Sequence, residues 1–124
     1  MPRQKVVLNS EQCAAALKTM GDGTRLRILE LLLAKPQCVS DIVKALRYSQ
    51  PHVSHHLQVL RENGLVERHR KGRQVHYRVA HIYYRILDGK KPLAMDFGCC
   101  EVRFPVGQSL VMPLKMNRSG DVSN

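Results

Sequence analysis

The sequence predicts a mostly α-helical domain that carries one β-hairpin, an α+β fold. Apolar residues recur with helical spacing through the first half of the chain and then alternate with polar residues from about residue 74 to residue 79. The chain has 124 residues, of which 44% are hydrophobic, so one core is expected rather than two. Aromatic residues make up only 5% and tryptophan is absent, so that core must be mainly aliphatic.

The first two predicted helices are separated by a short turn. Ser10 is a suitable N-cap for a first helix that continues to about Met20, where Gly21 follows. Asp22-Gly23-Thr24 predicts a turn that caps a second helix. That helix is strongly apolar and ends before Pro36, so it should lie at the centre of the core.

The next two helices are short and closely connected. From Val39 to Leu46 the apolar residues fall on one face of a third helix. Ser49 caps a fourth helix, and Pro51 lies in its first turn, where a missing N–H is not needed. Asn63-Gly64 ends this helix.

Strands follow the helices. Leu65–Arg70 and Arg73–Ala80 predict a hairpin around Lys71-Gly72. A short helix is predicted from His81 to Leu87, and Cys100–Phe104 is compatible with a further strand.

Domain organisation follows from composition. We expect a flexible arm at residues 1–10, a domain at 11–106 that ends in a dimer and sensor segment, and a flexible tail at 107–124. No apolar run approaches the ~18 residues of a membrane span, and no secretory signal is recognised at the start. The expected location is the cytoplasm.

The positive charge is concentrated in one part of the chain. The formal net charge is +10, and the stretch from Lys44 to Arg85 holds nine basic residues against two acidic ones, a net +7. All six histidines lie in the same stretch. Such a segment favours a polyanion partner, most often nucleic acid, although a solvated basic face or attraction to anionic lipid would also explain it.

Two short helices followed by a basic hairpin form a winged helix-turn-helix arrangement, in which the fourth helix fits the major groove of DNA. Projection of that helix places polar side chains outward and His56 near the buried edge, where a structural histidine is expected. The hairpin tip should contact phosphates. The alternative is that these are only surface residues. The predicted DNA contacts are Ser49, Gln50, His52, Ser54, His55 and Gln58 on the helix, and Arg70, Lys71 and Arg73 on the wing.

Three segments carry a resemblance to a known family: LKTMGDGTRLRILELL (17–32), CVSDIVKAL (38–46) and SQPHVSHHLQVLRENGLVERHRKGRQVHYRV (49–79). Together they resemble the ArsR/SmtB family of bacterial winged-helix repressors over about half the chain. Gly23 stands where the family usually has proline. The resemblance implies a homodimer on an inverted-repeat operator in double-stranded DNA. It also implies release by an inducer, often arsenite or a soft metal ion, and no enzymatic activity.

The resemblance further implies that the first and last helices form the dimer. The last helix is unusually short here, so residues 93–106 are an alternative source of dimer surface. The candidate dimer residues are Ala14, Ala15, Ala16 and Leu17 with Ile82, Tyr83, Ile86 and Leu87.

The sensor site typical of the family is only partly present. Its Cys-Val-Cys pattern reads Cys38-Val39-Ser40, and one thiol is a poor site for a soft trivalent ion. His81 and Asp88 do not match the zinc-sensing pattern. Cys38 lies near a helix N-terminus, which favours a thiolate, but a small buried apolar residue is the preferred interpretation.

Cys99 and Cys100 are adjacent, and such a pair suits arsenite or antimonite. Neighbours in a regular strand point to opposite faces, but Gly98 permits an irregular backbone. We therefore hypothesise a thiolate site of Cys13, Cys99 and Cys100, within one subunit or between two, that needs no resident cofactor. In a reducing cytosol these should be thiols. Buried thiols, or a disulfide that responds to oxidants or persulfides, remain alternatives.

Two other functions compete with an operator-binding repressor. A winged helix can bind RNA or another protein instead of an operator. A thiol enzyme is disfavoured because no Cys-x-x-Cys motif and no set of nucleophile, base and orienting group is visible.

Overall fold

The computed structural model describes residues 7–87, 91–104, 115–116 and 122–123. Four helices come first: α1 (Ser10–Met20), α2 (Gly23–Ala34), α3 (Val39–Leu46) and α4 (Gln50–Glu62). The strands are β1 (Gln37–Cys38), β2 (Val66–Lys71), β3 (Gln74–Val79), β4 (Tyr84–Leu87), β5 (Lys91–Asp96), β6 (Glu101–Arg103), β7 (Lys115–Met116) and β8 (Val122–Ser123). No helix among these described residues is both long and apolar enough to span a membrane.

The first helix is capped one residue earlier than predicted. Asn9, not Ser10, is the N-cap of α1. Its side chain accepts from the Gln12 N–H at 2.8 Å, and the Gln12 side chain accepts from the Asn9 N–H at 3.0 Å. This reciprocal pair satisfies two N–H groups that a serine cap at position 10 would leave open.

The other predicted helix ends are confirmed. Asp22 caps α2 by accepting from the N–H groups of Thr24 and Arg25. The Ser49 hydroxyl caps α4, with proline in the first turn, and Gly64 leaves the helix with a φ of +73°. The turn between α3 and α4 is closed by Arg47, whose φ of +59° places it in the left-handed region.

The predicted hairpin is confirmed as a wing with a small addition. β3 pairs with β2 and with β1, in the order β1-β3-β2, so the wing is anchored to the residues just before α3. Lys71 pairs with Gln74, which moves the turn one residue along to Gly72-Arg73, and Gly72 has a φ of +66°. Glu67 accepts from Arg78 across the hairpin at 3.0 Å.

The predicted short helix from His81 to Leu87 is wrong. Residues 81–83 form a turn and Tyr84–Leu87 is strand β4, which pairs with β5, which in turn pairs with β6. Seven residues are too few for a stable helix without tertiary support, whereas the strand gains partners for its backbone. The strand expected at Cys100–Phe104 is confirmed, with bounds Glu101–Arg103.

One aliphatic core joins the helices to both sheets. Ile28, Leu29, Ile42, Leu57 and Leu60 are fully buried. Met95 of β5, in the β4-β5-β6 sheet, and Phe97, which directly follows β5, belong to the same cluster.

Leu8, just before α1, is joined to the residue that directly follows β5. The N–H of Leu8 donates to the Phe97 carbonyl at 3.0 Å. Residues 1–6 of the predicted arm and most of the predicted tail lie outside the described residues, although β7 and β8 pair within that tail.

Candidate nucleic-acid interface and cysteine cluster

The outward face of α4 is the one that the helical projection predicts. Val53, Leu57 and Leu60 are completely buried on the inner face. The polar residues predicted to face DNA are exposed: Ser49, Gln50, His52, Ser54, His55 and Gln58. The Ser49 hydroxyl also accepts from the His52 N–H at 3.3 Å, and the Gln58 amide donates to Glu62 at 2.9 Å. The other four residues do not make such a hydrogen bond within the helix, so their donors and acceptors face solvent. They are Gln50, His52, Ser54 and His55.

The wing tip presents its cations to solvent. Arg70, Lys71 and Arg73 are all exposed and surround the tight turn at Gly72. Because a long cationic side chain on a rigid hairpin can follow a phosphate backbone, these positions suit DNA contacts.

A polar groove separates α4 from the wing, and sequence reasoning missed four of its six lining residues, two of which are arginines. The cavity has a volume of about 530 Å³ and is lined by Ser54, Gln58, Arg61, Glu62, Arg68 and Tyr77. Arg61 and Arg68 are exposed there and come from different elements. Two patterns in the sequence could have identified them. Arg61 continues the outward face of α4, and Arg68 shares a strand face with Arg70 because residues two apart point to the same side.

His56 is the structural histidine that the projection predicts. It is only 8% exposed, and its Nδ1 lies 3.3 Å from a guanidinium nitrogen of Arg25. Burial lowers the pKa of His56 below the ordinary 6.5, and the nearby Arg25 charge lowers it further, while Asp22 opposes the shift. The ring is therefore neutral near pH 7.

Aromatic rings form a continuous row along the first turns of α4. The His52 ring stacks on Tyr48 with centroids 4.8 Å apart, and it lies 5.0 Å from the His56 ring. His55 meets His56 edge-on at 5.3 Å. The Tyr48 hydroxyl accepts from Arg27 at 3.0 Å.

The three cysteines predicted to act together do meet in one chain. Cys13 of α1 and Cys99 of the β5–β6 turn form a disulfide, so the expectation of three free thiols is wrong for this structure. The Cys100 sulfur lies 3.6 Å from that of Cys13 and 3.9 Å from that of Cys99. All three sulfurs are within 4.8 Å of one another, a group that could hold a metal ion.

A tight turn makes this convergence possible. Gly98 has a φ of +83° and donates its N–H to Asp96 at 2.9 Å, and the N–H of Phe97 donates to the Cys100 carbonyl. The left-handed glycine breaks strand alternation, so adjacent cysteines can turn toward the same side. The role predicted for Gly98 is confirmed.

Cys38 is not the buried apolar residue that was preferred. It is half-buried at the N-cap of α3, and its Sγ lies 3.0 Å from an Asp41 carboxylate oxygen and 3.1 Å from the Ser40 hydroxyl. The hydrogen bond from the Cys38 side chain lowers the pKa of Asp41. Among the described residues, Cys38 does not belong to the three-sulfur group.

The predicted dimer residues divide into surface and core. Ala14 and Ala15 are exposed, and Leu17 and Ile82 are large apolar side chains with 45% and 42% exposure. Ala16 is buried, and the Tyr83 ring packs on Phe97 at 4.9 Å, so both contribute mainly to the core. Ile86 and Leu87 lie in β4, and their side chains lie outside the described residues.

Comparison with known proteins identifies the family. The family described as "Bacterial regulatory protein, arsR family" matches residues 22–68. The arsenical resistance operon repressor of Staphylococcus xylosus is 32% identical over 94 residues, which cover 74% of this chain and 90% of that protein. The chain belongs to the ArsR family. Its relatives are transcriptional regulators and not enzymes, as predicted.

Other ArsR relatives match a shorter region. The arsenical resistance operon repressor of Escherichia coli K12 is 45% identical over 64 residues, 51% of this chain and 55% of that protein. A transcriptional repressor SmtB homolog of Synechocystis is 37% identical over 71 residues, 57% of this chain and 54% of that protein. The chain thus spans about half the length of these two relatives.

Solved structures confirm the winged helix-turn-helix fold. Reduced HlyU from Vibrio cholerae N16961 superposes with a TM-score of 0.56 at 35% identity, covering 58% of this chain and 76% of that one. The homodimeric winged helix-turn-helix DNA-binding domain of Mb0332 from Mycobacterium bovis gives 0.54 at 37% identity, covering 56% and 65%.

Proposed function

We propose that the chain is a sequence-specific DNA-binding transcriptional repressor. The observation that carries the proposal is the juxtaposition of an exposed polar α4 face with a cationic wing. The groove between them holds two further arginines, Arg61 and Arg68. A helix in the major groove and a wing on the phosphates would use all three surfaces together.

Binding as a homodimer to an inverted repeat is part of the proposal. One recognition helix reads only a few base pairs, and two copies about one helical turn apart multiply the affinity. A structural relative is described as homodimeric. Leu17 and Ile82 are exposed large apolar side chains, which a second copy would cover.

The proposed inducer is arsenite, antimonite or another soft metal ion, held by Cys13, Cys99 and Cys100. Soft ions prefer thiolates, and three sulfurs already converge from two elements of one chain. A thiol reductant must first supply two electrons and two protons to open the Cys13–Cys99 disulfide. Arsenite, As(OH)₃, then reacts with the three thiols: three As–S bonds replace three As–O bonds, and each hydroxyl leaves with a thiol proton as water. Two relatives are named as arsenical resistance operon repressors.

The position of Cys100 favours coordination over disulfide exchange. A thiolate that attacks in line with an S–S bond is nearer to one sulfur than to the other by a full bond length, roughly 2 Å. The Cys100 sulfur is almost equally distant from both, at 3.6 and 3.9 Å. It therefore lies beside the bond, where a third ligand would sit.

A redox-responsive repressor is the second candidate, and the Cys13–Cys99 disulfide favours it. The bond joins α1 to the β5–β6 turn, so oxidation and ligand binding would both act on the same connection. Oxidation or ligand binding can release DNA only by stabilising the conformation of the protein that has low affinity for DNA.

DNA binding is tested by selecting a preferred duplex from a random pool and titrating it against random DNA and RNA. A repressor should prefer one symmetric duplex by about 10³-fold or more at physiological salt. Equal affinity for random DNA or RNA would refute the operator and support a general nucleic-acid module. Binding of none of them would refute nucleic-acid recognition.

The inducer is tested by titrating the reduced protein with arsenite while thiolate-to-arsenic absorbance and DNA affinity are followed. We expect saturation at one ion per chain and loss of DNA binding. Cys99→Ser should abolish both, whereas Cys38→Ser is the matched control and should change neither. A response to oxidant without any response to arsenite would favour the redox candidate.

A further inference from the structure

We propose that Tyr48 positions the His52 imidazole, and that this makes His52 the main specificity-determining side chain of α4. The acceptor it would recognise is a purine edge in the major groove. The inference rests on the DNA-binding function proposed above and adds Tyr48, which is not among the predicted DNA contacts.

His52 is exposed and yet held on two sides. Its ring stacks on Tyr48 with an interplanar angle of 29°. One turn further along the helix, the His56 ring lies 5.0 Å from it and is tilted by 39°. A ring between two others has few rotamers open to it. The plane of the imidazole is therefore set before DNA arrives.

Both neighbours of His52 are themselves anchored to α2. The half-buried Tyr48 ring packs against the core, and its hydroxyl accepts from Arg27. His56 is buried beside Arg25. The orientation of His52 therefore depends on α2 as well as on α4.

The other polar residues of the face are held less firmly or are engaged elsewhere. His55 touches His56 only edge-on, at 5.3 Å and 64°. The Gln58 amide donates within the helix to Glu62. A side chain that is ordered in advance loses less entropy on binding and tolerates fewer bases, so it discriminates more strongly.

The chemistry of an imidazole defines what it reads. An imidazole N–H donates one hydrogen bond, and guanine offers N7 and O6 while adenine offers N7 at the major-groove edge. Cytosine presents only its N4–H₂ donor at this edge, and thymine presents a single O4 acceptor beside the bulky C5-methyl group. We therefore expect a purine preference at one position of each half-site.

The test is a double-mutant cycle on the duplex that the wild-type protein selects, using duplexes changed at one half-site position. His52→Ala should reduce discrimination at one purine position roughly ten- to 100-fold. Tyr48→Ala should reduce it at the same position. Tyr48→Phe, which keeps the ring, should retain most of the discrimination. If Tyr48→Ala folds poorly, Tyr48→Leu keeps the apolar packing without the ring and should reduce the discrimination in the same way.

The cycle separates positioning from a general structural role. If Tyr48 acts through His52, the double variant discriminates no worse than His52→Ala alone, and the salt dependence of binding is unchanged. Additive losses, or a loss spread over all positions, would overturn the inference while leaving DNA binding intact. A wild-type protein that selects no duplex would overturn the proposed function as well.

Discussion

Opening the Cys13–Cys99 disulfide should destabilise the whole domain and not only the second sheet. The bond joins residues 86 positions apart, so it closes a loop that includes α1 to α4 and the wing. Its removal frees the denatured chain to explore many more conformations. The folded state loses only one local connection between α1 and the β5–β6 turn.

The size of the effect follows from the length of the loop. With 86 residues in the loop, the chain-entropy relation gives about 4.6 kcal/mol at 25 °C. Measured values usually fall below this limit, so we expect a loss of about 2–4 kcal/mol. For a domain of 124 residues this lowers Tm by roughly 10 °C.

The assay is urea unfolding followed by circular dichroism, on oxidised and reduced protein at one fixed concentration. The concentration must be fixed because dimer assembly contributes to the apparent stability. Cys13→Ser removes the α1 thiol that Cys99 or Cys100 could bond, so it should match the reduced protein under both conditions, and Cys38→Ser should match the wild type under both. Equal free energies of unfolding in the oxidised and reduced wild type would refute the reasoning.

Three further predictions concern charge, pH and capping. In a dimer, Lys71→Ala or Arg73→Ala removes two phosphate contacts, so the slope of log K against log salt should become shallower by about 1.8; an unchanged slope would exclude that contact. Burial lowers the pKa of His56 below 6.5, so the unfolded chain binds more protons below about pH 6.5. The free energy of unfolding should therefore be highest above that pH and fall as the pH falls through the folded pKa, and His56→Gln should lessen this dependence in urea titrations. Asp22 accepts from two N–H groups of α2, so Asp22→Ala should cost about 1 kcal/mol in the same assay, and a stability equal to that of wild type would contradict the capping role.

The reading face of α4 was predictable because helical periodicity is local. Once Val53, Leu57 and Leu60 define the inner side, a rotation of 100° per residue places Ser54, His55 and Gln58 outward. Arg61 and Arg68 were not predicted because the groove that they line forms between two elements. A sequence pattern describes the face of each element but not the space between them.

The predicted helix from His81 to Leu87 shows the limit of local reasoning. That segment has four strand formers, Ile82, Tyr83, Tyr84 and Ile86, against two strong helix formers, Arg85 and Leu87, so its composition favours a strand. Pairing with β5 decides the outcome, and a strand partner further along the chain leaves no periodic signal. The segment predicted as the last helix is thus a strand, and its contribution to a dimer stays a prediction.

The amino-acid sequence by itself determined four helices, the caps of α2 and α4, a basic hairpin and the polar face of α4, because caps, turns and periodicity act over a few residues. Only the tertiary structure decided that β4, β5 and β6 form a sheet and that the sulfurs of Cys13, Cys99 and Cys100 meet. Those contacts join segments up to 87 residues apart. Their formation depends on how the whole backbone closes around the core, which no short pattern encodes.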